Sequence, residues 1–206
     1  MPEGKVTADI SVSLDGFVAG PNDDVDRLHQ WLYDLRSWRE PHGLEGEEEG
    51  RDAEVMDEAF RNVGALVMGR RMFDLVPDAW GDEPPFHAPV FVLTHRAREP
   101  LPKEGGTTFT FVTEGVESAL EQARAAAGDK DVSIAGGASA IQQFIDVGLL
   151  DEIQLHVVPV LLGEGIPLFA NLGTGPVELE RTRVIESSDV VHLKFRLPRG
   201  RSLRRV

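Results

Sequence analysis

Residues 131–145 read as a buried strand that breaks at Gly136-Gly137 into an amphipathic helix, with Ala140, Ile141, Phe144 and Ile145 on one helical face. Two glycines between strand and helix let a ligand come close to the backbone. Behind them the first N–H groups of the helix lack intrahelical partners and the helix dipole adds partial positive charge, so the turn is suited to a phosphate. The other reading of two glycines is a tight turn and nothing more. The rest of the chain has to decide between them.

Strands and helices alternate along most of the sequence. Residues 5–13 alternate, with Val6, Ala8, Ile10 and Val12 on one face, and Asp15-Gly16 forces a turn after them. Residues 26–38 carry Leu28, Trp31, Leu32 and Leu35 at helical spacing, and a second helix is expected over 52–62 with Val55, Met56, Ala59 and Phe60 inward. Apolar runs at 65–68 and 90–93 predict buried strands, with a proline-rich irregular segment, 76–89, between them. Residues 107–112 predict another strand and 115–127 a helix. Residues 151–160 alternate, setting Ile153, Leu155 and Val157 against Gln154, His156 and Val158, and 177–185 with 190–197 predict a closing hairpin. Strands separated by helices give an α/β fold with a mainly parallel sheet covered on both faces and the hairpin as its antiparallel edge.

A chain of 206 residues fills one such domain, expected over 1–198, with Arg199, Arg201, Arg204 and Arg205 in a frayed basic tail. No run approaches the roughly 20 apolar residues of a membrane span. The chain enters a strand almost at once with no apolar signal segment, so a cytoplasmic protein is expected. The absence of cysteine removes disulfides, thiolate metal sites and cysteine nucleophiles. A formal charge of −14 argues against nucleic acid and anionic membranes as partners. The acidic stretch Glu45-Gly-Glu-Glu-Glu-Gly50 reads as a solvated loop without calcium-loop spacing, and His29, His42, His87 and His192 are too scattered to suggest a metal site.

In open α/β sheets ligands bind at the carboxyl ends of strands. Three predicted strands end in suggestive residues: Gly69-Arg70-Arg71, Thr94-His95-Arg96 and Gly136-Gly137-Ala138-Ser139. Together they bring four basic side chains and a helix N-terminus to one edge of an acidic protein. A dinucleotide with an extra phosphate would use such an edge, with arginine on the ribose phosphate. Taken singly, each arginine reads equally well as solvated.

The chain resembles the dihydrofolate reductase superfamily, and more closely its bacterial branch similar to the C-terminal reductase domain of the bifunctional riboflavin-biosynthesis deaminase/reductase. The matching pieces are Ser13-Leu-Asp-Gly-Phe-Val-Ala19, Val67-Met-Gly-Arg-Arg-Met-Phe73, Val92-Leu-Thr-His-Arg96, Ile134-Ala-Gly-Gly-Ala138 and the run from Leu155 to Phe169 that contains Pro159-Val-Leu-Leu-Gly-Glu-Gly165. They occur in the family's order. The resemblance implies a three-layer dihydrofolate-reductase-like fold, NADPH as hydride donor, a pterin-like or ribosylaminopyrimidine-like small-molecule substrate, and a homodimer. It places Gly69, Arg70 and Arg71 beside the cofactor phosphates, Thr94, His95 and Arg96 at the adenosine 2′-phosphate, and Gly136, Gly137, Ala138 and Ser139 at the pyrophosphate. It also implies a cis peptide bond between Gly136 and Gly137. Met72 departs from the pattern, standing where the family often has a hydroxyl.

For the proton donor, folate-reducing relatives use a carboxylate near the first helix, and here Asp15, Asp26 and Asp34 are the candidates. Asp15 also reads as a turn residue, Asp26 as a helix N-cap and Asp34 as a solvated helix residue. His156 falls on the strand where those relatives place a substrate-side threonine, and an imidazole there could protonate a heterocycle. Glu164, between two glycines, belongs to a loop that reaches toward the substrate in similar proteins. The function expected is an NADPH-dependent reductase of a small heterocycle; the alternative is a nucleotide-binding regulatory module that lacks turnover.

Overall fold

The computed structural model describes residues 4–35, 50–75, 80–170, 172–173 and 175–198. Nine strands form one sheet. They are β1 (Val6–Ser13), β3 (Val63–Gly69), β4 (Val90–Leu93), β5 (Leu101–Pro102), β6 (Thr108–Val112), β7 (Asp131–Gly136), β8 (Glu152–Val158), β10 (Glu180–Glu186) and β11 (Val191–Arg196), in the order β10-β11-β8-β1-β7-β3-β4-β6-β5. The pairs from β8 through β6 are parallel, whereas β11 on β8, β10 on β11 and β5 on β6 are antiparallel. The α/β architecture with its closing hairpin is therefore as expected. The antiparallel edge β5 and a small sheet of β2 (Phe17–Ala19) with β9 (Ile166–Pro167) are additions, too short to carry a periodic signal.

Five helices cover the sheet among the described residues: α1 (Asp26–Tyr33), α2 (Arg51–Arg61), α3 (Arg70–Leu75), α4 (Val116–Ala127) and α5 (Ala138–Asp146). One face is the main core, where Ala119, Leu120 and Ala123 of α4 and Ile141, Phe144 and Ile145 of α5 pack on Val6, Ala8, Ala65, Val67, Val132 and Ile134. The other face is split. Phe73 of α3 packs with Trp80 on Leu66, Met68, Val90, Val92 and Phe109, while Trp31 of α1 and Met56 of α2 pack on Val190 beside Val158. Between these two patches the strands β1 and β7 carry small or polar side chains, among them Asp9, Ser11 and Ser133.

Two expectations need correction. Phe60 is 51% exposed rather than inward, because only the N-terminal half of α2, through Ala53 and Met56, meets the sheet-side cluster. Asp26 is the first residue of α1 and not its N-cap; its N–H donates to the Asp24 carboxylate at 3.0 Å. Strand β8 is buried on its polar face as well as its apolar one, Gln154 and His156 included. Helix α1 covers that face, and the polar groups survive burial because they are hydrogen-bonded. The second half of the 26–38 helix, the acidic loop and the basic tail lie outside the described residues.

Candidate active site

Strands β7, β3 and β4 are parallel neighbours, so their carboxyl ends share one edge. Here Gly69 ends β3, and a methyl group on it would sit 3.6 Å from the Gly137 nitrogen, so the two turns touch. The Gly136–Gly137 peptide bond is cis, as the resemblance implies, and Gly136 has φ +121°. Helix α5 starts at Ala138 with no side-chain cap, and a side chain at Gly137 would meet nothing within 4 Å. The amides of the first turn therefore lie behind an open approach.

The basic residues divide into two sets. Arg71 donates to Asp23, with a nearest ion-pair distance of 2.7 Å. Arg70 donates to both oxygens of Asp74 at 2.8 Å and stands 5.8 Å from the ring centres of Phe73 and Phe111. Both guanidiniums are thus held by carboxylates of their own chain. His95 and Arg96 are exposed, and among the described residues neither side chain has an ion-pair partner. Thr94 shapes their turn: its hydroxyl accepts the Arg96 N–H at 3.1 Å, and its own N–H donates to Val112 at 3.0 Å. Arg98, which no sequence pattern marked, lies 5.1 Å from the Phe111 ring and 5.7 Å from Phe73. The edge is an open surface. A cleft lined by Lys5, Glu152, Glu180 and Arg196 lies at the other end of the sheet, against the amino-terminal end of β8, remote from these glycines.

The proposed acids on the substrate side have different surroundings. Asp15 accepts from the Ser13 hydroxyl at 2.6 Å and from the N–H groups of Leu162 and Gly163 at 3.1 and 2.8 Å. Those bonds, the Ser13 one foremost, lower its pKa, so at neutral pH it is a carboxylate with no proton to give. Its place is to tie the turn after β1 to the loop after β8. Asp34 caps the C-terminus of α1 and accepts from Gln30. Glu164 is exposed in the loop before β9.

His156 is different again. Its side chain is 2% exposed, its Nε2 stands 2.6 Å from Asp9 Oδ1, and its Nδ1 stands 2.6 Å from Nδ1 of His192. His192 is equally buried, with Nε2 2.7 Å from Asp52 Oδ1, and Gln154 donates to the other Asp9 oxygen at 2.9 Å. Trp31 covers both imidazoles at ring distances of 4.7 and 5.5 Å and donates its own N–H to Ser11. Asp9 and His192 were missed because the pairing of β1, β8 and β11 brings them to His156 from positions far apart in the chain, and Asp52 because it reaches His192 from α2, 140 positions away. The four groups form a line and do not surround one point, and among the described residues no cluster could hold a metal.

Burial lowers the His192 pKa despite the opposing pull of Asp52. A base with a depressed folded value destabilises the fold as pH falls below the ordinary histidine range, because the unfolded chain takes up the proton first. Stability of the native chain should therefore fall below about pH 6.5, by up to about 1.4 kcal/mol per pH unit for one proton. Urea melts from pH 7.5 to 5 should show that slope, and His192→Asn should flatten it.

The model of the RibD C-terminal domain matches residues 4–193. The chain belongs to the RibD C-terminal domain family. Its similarity to YyaP, an uncharacterised protein of Bacillus subtilis strain 168, is 27% identity over 183 residues, 84% of either chain. It is 28% identical over 171 residues to the riboflavin biosynthesis protein RibD of Corynebacterium ammoniagenes, of which it spans 46%. Among solved structures, one from Shewanella sp. PV-4 superposes with TM-score 0.72 at 24% identity, covering 95% of this chain and 99% of that one. The diaminohydroxyphosphoribosylaminopyrimidine deaminase/5-amino-6-(5-phosphoribosylamino)uracil reductase of Thermotoga maritima superposes with TM-score 0.65 at 15% identity, over 95% of this chain and 57% of its own. The fold is thus that of RibD-type reductase domains. No helix among the described residues is long and apolar enough to cross a membrane.

Proposed function

We propose that this RibD-family chain is an NADPH-dependent reductase that delivers hydride to a C=N or C=O carbon of a small heterocycle, most closely a ribosylaminopyrimidine. The observation carrying this reading is the uncapped N-terminus of α5 at Gly137, open to approach and in contact with Gly69. That backbone fits a pyrophosphate. Gly136, Gly137, Ala138 and Ser139 would hold it, Gly69 and Arg70 would border it, and Thr94, His95 and Arg96 would take the 2′-phosphate. Bound there, the nicotinamide supplies the hydride, and the protein's part is positioning and proton supply. The substrate would lie over β1 and β7, between the α1–α2 patch and α3, where β1 leaves β7 after the pair Ala8↔Ile134.

One observation favours a nucleotide-binding module without turnover. Met72 occupies the hydroxyl position, and its sulfur would lie 3.3 Å from a methyl group on Gly136. Titration with NADPH and NADH, followed by thermal stability and by NADPH oxidation with pyrimidine and pterin substrates, separates the two. At 100 times its dissociation constant a ligand stabilises by about 2.7 kcal/mol, and NADPH should reach this at lower concentration than NADH. Arg96→Ala should weaken NADPH about 10- to 100-fold, the worth of one charge-assisted hydrogen bond, and leave NADH unchanged. Saturation without oxidation would favour the module; no shift with either nucleotide would remove the cofactor.

A further inference from the structure

We propose that Asp9 is the acid that protonates the substrate and that the buried pair His156–His192 stores the proton it delivers. This rests on the reductase reading above. Asp9 is the first residue of β1 beyond its last pair with β7, on the face left between the two helix patches. Its side chain is 17% exposed, while the imidazoles behind it are 2% exposed. The acid thus has one side toward the substrate position and the other toward a dry store.

A proton count gives the charge of the store. Three contacts run in line: Asp9 to His156, His156 to His192, and His192 to Asp52, at 2.6, 2.6 and 2.7 Å. Each needs one proton, and two neutral imidazoles carry only two. With carboxylates at both ends, the line holds one proton more. His192 is kept neutral by burial, and Asp52 takes its Nε2–H, so its bare Nδ1 has to accept. His156 then donates from both nitrogens and is an imidazolium. The same proton moved across the Asp9 contact makes Asp9 a carboxylic acid facing the substrate. The groups packed around His156 agree with this charge: Asp9 and Gln154 on the sheet, His192 and Asp52 beyond it, and Trp31 above. His29 on α1 has its pKa lowered by burial and, next, by His156.

The reaction balances. As hydride from a reduced nicotinamide reaches the substrate carbon, the π pair of the C=N or C=O bond moves to the heteroatom. Asp9 takes the Nε2 proton of His156, which becomes neutral, and passes it to the heteroatom, so that Asp9 ends the step as the carboxylate it began as. Solvent restores the proton through the exposed side of Asp9 after product leaves. Asp52 acts as a positioning residue by fixing the tautomer of His192.

The whole chain, labelled with ¹⁵N at histidine, tests the store without turnover. At pH 8, where ordinary histidines are neutral, one of the six histidines should give an imidazolium spectrum. That signal should vanish in His156→Gln, and it should titrate at lower pH in Asp52→Asn. Six neutral rings at pH 8 would overturn the store, and an unchanged titration in Asp52→Asn would overturn the positioning role. With a substrate the native chain reduces, Asp9→Asn should keep NADPH affinity and lose about 100-fold in kcat. A kcat within threefold of native would overturn Asp9 as the acid. If the native chain binds NADPH but reduces nothing, the reductase reading fails and takes the acid role with it, while the histidine spectrum still decides the store.

Discussion

Ser139→Glu is expected to weaken NADPH binding about 100-fold while leaving the fold as stable as before or slightly more so. Ser139 is exposed in the first turn of α5, beside the uncapped amides that would face the pyrophosphate. A carboxylate there complements the helix dipole, worth roughly 0.3–1 kcal/mol in stability. It also places negative charge against negative charge. At about 4 Å and an effective dielectric constant near 20, that repulsion is on the order of 4 kcal/mol before solvent and salt screening reduce it. The opposite signs make the test sharp. A melting temperature that holds or rises with loss of NADPH binding supports the site, whereas unchanged affinity would show that the nucleotide does not approach α5.

Gly165→Ala should cost about 3–5 kcal/mol, the largest effect of any single methyl group near the proposed site. Gly165 has φ +142°, and an added methyl would fall 2.0 Å from the carbonyl oxygen of Ala19, a rigid backbone atom. Strained backbone costs on the order of 1–3 kcal/mol and overpacking a similar amount. Gly163 is the control in the same loop: its φ is +76°, but nothing lies within 4 Å. Gly163→Ala should cost about 1 kcal/mol. Equal losses for the two in denaturant titrations would mean that β2 and β9 do not depend on the close approach at Ala19.

Elements with a long periodic signal were legible in the sequence, and the strand-to-helix turn at Gly136-Gly137 stands where the apolar run stops and the helical stripe begins. Motif order carried the family. Two-residue strands such as Leu101–Pro102 and Ile166–Pro167 have no period to read. The pairing of Arg71 with Asp23 joins positions 48 apart, which local pattern does not encode. Asp9 carried no signal of its own in the alternation of β1, because only the neighbouring strands bring it its partners. His192 looked isolated because it meets His156 only once β11 has folded back onto β8.

The polar row across β1, β8 and β11 also bears on how the sheet finds its alignment. Strands that are apolar on both faces offer a slipped pairing nearly the same contacts as the correct one. Here Ser11, His156 and His192 stand side by side in register, and Asp9 stands beside Gln154. A shift of one residue along β8 would turn Gln154 and His156 to the opposite face, leaving Asp9 without its two partners and His192 without the one at its Nδ1. Each buried polar group left unpaired costs about 1–3 kcal/mol. The row therefore works as a key that admits one alignment of three neighbouring strands, and the same side chains that would store a proton also set where each strand must stop sliding.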